Sequence, residues 1–569
     1  MLTITRKAPG TITSVTPPSG PVAGGTQVTI AGTNLSATNA VYFGSVPAAS
    51  FGVISSAEIT ATAPSVNTPG TVAISVGNPY GDSAATCADQ FVYGISPPLA
   101  SPAGYVPINP TRLADTRPNS GYQGAGHPLN CNSSITIQVA GEGQIPLTGV
   151  AAVILNVTAI QETTNSYVTV YPTGSTIPEA SNLNTHTDTT TANLVTVPLG
   201  SNGQVSIYNF SGSTDLVVDA EGYYIAAQSG KPPAGSEYVP LSPTRIVDTR
   251  CSASPQPSWC PAEHLPTTNS TLKAILPNGV LNFTVAGIAN VPLRGSADRQ
   301  LGSGSRSSRR AGQGEGGRAC WSAWTTTTTQ QCEVRGTTSP RRLSAEPLSS
   351  VAAELNVTAI PGKTGGYLTV YPTGTSRPLA SNVNFSSGGI VANQTVAQIG
   401  SSGMVSVYNS SSSPVELVVD LEGYFATNSG DILTSSSPSR ILDTRCSAVP
   451  EPSYCVSENL PVSNSSIPSA SPPYSLVVQV AGDGSIPLTG VAAVVANVTV
   501  VGASSGGYLS IYPDGETRPS ISNLNFTTGE TTSNMAVITV AADGKIDVYS
   551  SAKGAINIVI DVLGWYSPD

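Results

Sequence analysis

Apolar and polar residues alternate along this chain in short runs, and the runs are broken by Gly, Pro, Asn and Ser. Gln27-Val28-Thr29-Ile30, Ile135-Thr136-Ile137-Gln138-Val139 and Gln204-Val205-Ser206-Ile207-Tyr208 change face at every residue, the two-residue period of a half-buried strand. Ala152 to Leu155 is apolar at both parities and reads as a central strand covered on both faces. No long stretch carries a 3.6-residue apolar period. The pattern predicts an all-β protein of antiparallel sandwiches.

The runs themselves repeat. Asn-Val-Thr recurs at Asn156, Asn356 and Asn497, and each copy then keeps register. A second Asn follows at Asn182, Asn382 and Asn523, and a third at Asn193, Asn393 and Asn534. Each copy closes on Asp219-Ala220-Glu221-Gly222, Asp420-Leu421-Glu422-Gly423 or Asp561-Val562-Leu563-Gly564, then two aromatics. Each opens on Pro110-Thr111-Arg112-Leu113-Ala114-Asp115-Thr116-Arg117 or its counterparts beginning at Pro243 and Pro438. Self-similarity in phase through three copies means one folding unit used three times.

A chain of 569 residues has room for several domains, at ~100–200 residues each. The expected division is a first domain over 9–94, then repeats over 105–225, 237–426 and 432–569. Linkers fall at 95–104, 226–236 and 427–431. The first two are Pro-rich, a composition that holds modules apart like beads. Repeat 2 carries some 54 extra residues, about 294–348, rich in Gly, Ser and Arg with Trp321 and Trp324. That composition predicts disorder, and an insertion at a loop is the simpler reading beside a basic binding loop.

Charge narrows the function. Charged residues make up 10% of the chain and the net charge is −10, whereas nucleic-acid binding needs clustered Lys and Arg. No run approaches a membrane-spanning helix, and Met1 to Gly10 lacks the apolar core of a secretory signal. Cysteine use nevertheless points to an oxidising compartment. Cys251 and Cys260 stand nine apart in repeat 2, and Cys446 and Cys455 stand nine apart at the equivalent place in repeat 3. Each pair is expected to be a local disulfide.

The opening Ile12-Thr13-Ser14-Val15-Thr16-Pro17-Pro18-Ser19-Gly20-Pro21, followed by Gly24-Gly25-Thr26-Gln27-Val28-Thr29-Ile30-Ala31-Gly32-Thr33-Asn34-Leu35, resembles the IPT/TIG family of immunoglobulin-like domains. The resemblance implies a small β-sandwich used as a spacer or binding module. From Tyr105 to Tyr566 the repeats resemble an uncharacterised β repeat of secreted and surface bacterial proteins. The fold class is therefore tandem antiparallel β-sandwich domains, one Ig-like and three homologous, joined by Pro/Gly/Ser linkers.

Catalytic patterns are scarce. His127, His186 and His264 occupy no equivalent positions, and no phosphate loop or metal pattern appears. No cofactor is expected. Asp115 with Asp219, and their counterparts Asp248/Asp420 and Asp443/Asp561, could form an acid/base pair. Two Arg residues flank the first Asp in every copy: Arg112 and Arg117, Arg245 and Arg250, Arg440 and Arg445. An Arg–carboxylate fork that fastens the opening segment is the simpler use. The repeated Asn residues fit either backbone bonding at turns or sugar recognition, with Tyr171, Tyr371 and Tyr512 as stacking platforms.

The sequence thus points to a non-catalytic extracellular or cell-surface protein, a stalk, adhesin or carbohydrate-binding array. Its expected partners are cell-wall or extracellular polysaccharide or another surface protein, with no nucleic acid and no membrane span. An accessory region of a secreted hydrolase, or a phage virion component, is the alternative.

Overall fold

The computed structural model describes residues 8–94, 102–178, 180–227, 235–258, 260, 264–292, 350–400, 402–427, 430–447, 455, 460–461, 463–465, 467, 474–483 and 486–568. The 294–348 insertion, most of the first two linkers and 428–429 of the third lie outside the described residues.

The N-terminal sandwich packs the sheet Thr11–Thr16, Gln27–Thr33, Glu58–Thr62, Ser50–Val53 against one centred on Gln90–Gly94 and Gly70–Asn78. The alternation read at Gln27 to Ile30 places Val28 and Ile30 inward at 0% exposure. There they meet a core that includes Phe43 and Phe91, whose rings sit edge-to-face at 5.1 Å.

Each repeat is a two-sheet sandwich. In repeat 1 the larger sheet runs Thr190–Pro198, Val150–Ile160, Ser213–Ala226, Ala103–Asp115, all antiparallel. The smaller runs Ser133–Gln138, Gln204–Asn209, Ser166–Pro172, Leu183–Thr185. Repeats 2 and 3 reproduce both orders.

The three larger sheets meet. Ala103 pairs with Leu433, Tyr238 with Asp431, and Tyr105 with Ser236, so the three opening strands converge on one axis. The Asn-Val-Thr strand shows why. Leu155 and Val157 face the core of their own sandwich, while Asn156 and Thr158, at the other parity, face the axis. In repeat 2, Ala353, Leu355 and Val357 pack inside the repeat, while Ala352 joins the core around the axis. Both faces are buried because the second cover is supplied by neighbouring repeats. The repeats therefore form a closed ring with near-threefold symmetry, rather than standing apart as the linker composition suggested.

Aromatic rings close the same axis. Tyr105 packs at a tilt against its own Tyr224 at 5.3 Å and against Phe425 of repeat 2 at 4.1 Å. Tyr238 repeats this with its own Phe425 at 5.2 Å and Tyr566 of repeat 3 at 4.4 Å. Tyr566 and Tyr224 join hydroxyls at 2.6 Å. Gly222 makes room: a Cβ there would lie 2.3 Å from the Tyr105 ring.

Candidate functional site

The recurring residues sit mainly where repeats touch. Asn193 donates to Asn497 Oδ1 at 2.8 Å, Asn393 to Asn156 Oδ1 at 2.9 Å, and Asn534 to Asn356 Oδ1 at 3.1 Å. In return, the backbone N–H groups of Met535, Leu194 and Gln394 donate to Asn193, Asn393 and Asn534. Asn156, Asn356 and Asn497 donate onward to the carbonyls of Ser381, Ser522 and Ser181 in the next repeat. Backbone bonding at turns is one of the two uses expected of these amides. The finding adds that much of it crosses from repeat to repeat.

Buried carboxyls sit in the same interfaces. Glu221 accepts from Asn382, from the Thr395 hydroxyl at 2.8 Å and from the Val396 N–H at 3.1 Å. Glu422 accepts from Asn523 at 2.8 Å and from Gln394 at 2.9 Å, and the same Gln394 amide reaches Glu354 at 3.0 Å. Burial pushes Glu221 and Glu422 each up to about 8, and Glu354 well above its ordinary value. Repeat 3 has Leu563 where the others have Glu, so the threefold pattern is broken in charge.

The structure places the predicted Arg and Asp residues together. Arg112 grips Asp219 through Nε and Nη2 at 2.8 and 3.0 Å, and Arg117 grips Asp115 at 2.9 and 2.6 Å. Arg112 also approaches Asp115 at 3.5 Å. Arg245 with Asp420, Arg250 with Asp248, Arg440 with Asp561 and Arg445 with Asp443 form the same forks. Burial pushes the Asp115 carboxyl up, but hydrogen bonds from Arg117 outweigh it and hold the group below its ordinary value. At Asp219 burial prevails over Arg112 and the value is raised. The Ser381 N–H also reaches Asp219, at 3.4 Å, so the fork that fastens the opening strand is part of the ring contact.

Cys251–Cys260 and Cys446–Cys455 form disulfides with Cα atoms 5.5 Å apart. Cys131 of repeat 1 is also disulfide-bonded, which the pairing by spacing did not reveal. The tyrosine platforms need correction. Tyr171, Tyr371 and Tyr512 are only 4%, 7% and 7% exposed. Tyr171 packs with Ile177 and Tyr208, its hydroxyl 2.9 Å from Ser134 Oγ, and no ring face is left for a sugar. Among the described residues, no group of three or more His, Cys, Asp or Glu is placed to hold a metal ion. Nor is any helix among them long and apolar enough to cross a membrane.

An aromatic platform exists elsewhere. Phe210 stacks on Tyr167 with centroids 4.8 Å apart and planes 14° from parallel, and Phe210 is 43% exposed. The pair borders a cleft of about 460 Å³ between the N-terminal sandwich, repeat 1 and repeat 3. Val15 and Thr16 form one wall, Ser181 and Asn184 another, and Arg445 and Thr499 a third. Repeats 2 and 3 have Ser410 and Ser551 at the Phe210 position, and these accept the N–H of Tyr367 and Tyr508. The docking of the N-terminal sandwich also uses a position at which repeat 1 departs from the other two. Arg377 and Arg518 lie over Tyr408 and Tyr549 at 3.8 Å, but repeat 1 has Ile177 there, packed with Tyr208 and Val92. Ser19 Oγ donates to the Ile177 carbonyl at 2.9 Å. Sequence reasoning missed this site because it lies where one repeat departs from the others. Ile177 and Phe210 were the available signal.

Residues 11–93 match the IPT/TIG domain family. The N-terminal sandwich is thus an IPT/TIG domain. Comparison with curated proteins finds no match. Among solved structures, the chain is 16% identical to the mixed-linkage glucan utilization locus SGBP-B of Bacteroides ovatus, covering 35% of this chain and 49% of that one, with a TM-score of 0.14. It therefore spans about half of that protein's length. It is 11% identical to SGBP-B from a complex xyloglucan utilization locus in Bacteroides uniformis, covering 74% of this chain and 99% of that one, with a TM-score of 0.19. It is 9% identical to a chain of Sulfolobus Turreted Icosahedral Virus, covering 88% and 90%, with a TM-score of 0.13.

Proposed function

We propose that this is a non-catalytic, extracellular or cell-surface protein that binds neutral glycan through the cleft between the IPT/TIG domain, repeat 1 and repeat 3. The observation that carries the reading is the exposed Phe210, stacked on Tyr167 and flanked by hydroxyl and amide side chains. A pyranose presents an apolar face of C–H groups and a rim of hydroxyls, and an aromatic ring beside planar polar groups satisfies both. The recurring Arg, Asp and Asn residues hold the ring together and leave the cleft to specify the ligand. The disulfides fit an oxidising compartment.

Affinity electrophoresis of the intact chain through gels containing soluble neutral polysaccharides tests this. Retardation by at least one polysaccharide is expected, weakened about tenfold by Phe210→Ala, as loss of one stacking contact implies. Unretarded migration in a panel of β-glucans, xyloglucan, mannan and xylan would overturn the reading, as would retardation that Phe210→Ala leaves unchanged.

A further inference from the structure

The cleft does not end at Phe210. A second hollow of about 430 Å³ adjoins it, between the IPT/TIG domain and repeat 1. Phe210 and Val15 border both hollows. The wall on the IPT/TIG side is mainly one strand, Thr11–Thr16, joined by Pro18 at the first hollow and by Thr86 and Ala88 at the second. The strand is at the edge of its sheet and, among the described residues, pairs with Gln27–Thr33 alone. That strand runs from Ile12 in the second hollow to Thr16 in the first. The opposite wall of the second hollow is Cys131, Asn132 and Ser211.

Uncharged polar lining continues along the whole length. Hydroxyl and amide groups recur in both hollows, and the residues lining the second include no charged side chain. In the first, Arg440 and Arg445 are the charged residues, and Asp561 and Asp443 neutralise them at 2.8 Å and in a direct fork. An anionic ligand gains little from guanidinium groups already satisfied by carboxylates, whereas a neutral polyhydroxylated chain requires no counter-charge. An extended peptide would need apolar pockets for alternate side chains along the strand edge, and the apolar side chains that the two hollows share are Val15 and Phe210 alone.

We infer, building on the glycan reading above, that the two hollows are halves of one groove. In it a linear, neutral glycan lies along the Thr11–Thr16 strand and crosses Phe210 mid-chain. The site then reads the interior of a polysaccharide, and both the IPT/TIG domain and the repeat ring are needed to form it.

Calorimetric titration of the intact chain tests this, using neutral oligosaccharides from disaccharide to octasaccharide cut from a polysaccharide that retards the protein. The affinity should rise at least tenfold between the shortest and longest ligands. Thr13→Trp, which fills the second hollow from an exposed position, should abolish that rise while short ligands still bind. Val501→Trp, in the wall of the first hollow, should weaken ligands of every length. Equal affinity for short and long ligands, with Thr13→Trp silent, would overturn the groove and leave the single-cleft glycan reading standing. Binding of extended peptides in preference to oligosaccharides would overturn the groove proposal. Absence of binding by any oligosaccharide and by the parent polysaccharide would remove both.

Discussion

Asn193 donates to the side-chain oxygen of Asn497 at 2.8 Å, although 304 residues separate them. The same bond recurs from Asn393 to Asn156 and from Asn534 to Asn356, so the repeats are bonded head to tail until the last meets the first.

Removing one amide should therefore loosen the ring without emptying any sandwich core. Asn393→Ala takes away donors to Asn156 Oδ1 and the Asn382 carbonyl, and an acceptor for the Leu194 N–H. Each net bond contributes about 0.5–1.5 kcal/mol, and a stranded buried partner costs about 1–3 kcal/mol. A loss of roughly 2–4 kcal/mol is expected, read as a lower thermal midpoint with unchanged far-ultraviolet circular dichroism of the native protein.

The strands and their parity were legible in the sequence because a two-residue period is written locally. The both-faces apolarity of Ala152 to Leu155 was legible too, but what covers the outer face was not. An amide such as Asn193 carries no local mark of a partner 304 positions away, so the sequence left turn bonding and sugar binding both open. Tyr171 misled for a related reason. A Tyr-Pro-Thr-Gly turn looks like an exposed platform, yet the packing of Ile177 and Tyr208 decides its burial. Phe210 escaped notice because a search for recurring residues passes over the one that does not recur.

The buried carboxyls predict a pH dependence. Glu221 and Glu422 sit at about 8 in the ring, against an ordinary 4.5. A carboxyl raised by folding contributes fully while protonated in both states, below about 4.5, and that contribution is lost as pH rises through about 8. The thermal midpoint should fall between pH 6 and pH 9. Glu422→Gln should flatten the slope and exceed the parent protein at pH 9. Parallel profiles for the two proteins would refute the assignment.

The Arg–Asp forks should behave as structure rather than as catalytic groups. Arg112→Met leaves Asp219, 1% exposed, as an uncompensated buried charge, which costs about 3–5 kcal/mol. Adding Asp219→Leu should recover much of that loss, because replacing a buried pair by apolar groups is often close to neutral. Urea unfolding of the single and double variants checks this; a double variant less stable than the single would contradict it.

Thr158, Thr358 and Thr499 occupy one position in the three repeats, and their buried hydroxyls find no hydrogen-bond partner among the described residues. Thr358→Val keeps the shape and removes the unsatisfied group. Its thermal midpoint should equal or exceed the parent's.

The ring itself is tested most directly by cutting it. Protease sites placed within 228–234 and 427–430 allow both junctions between repeats to be severed in the folded chain. If cross-repeat bonds hold the ring, the cut fragments will elute as one particle of the full mass under native conditions, while separating on a non-reducing denaturing gel. Fragments that part in native buffer would show that the linkers, and not Asn193, Asn393 and Asn534, hold the repeats together.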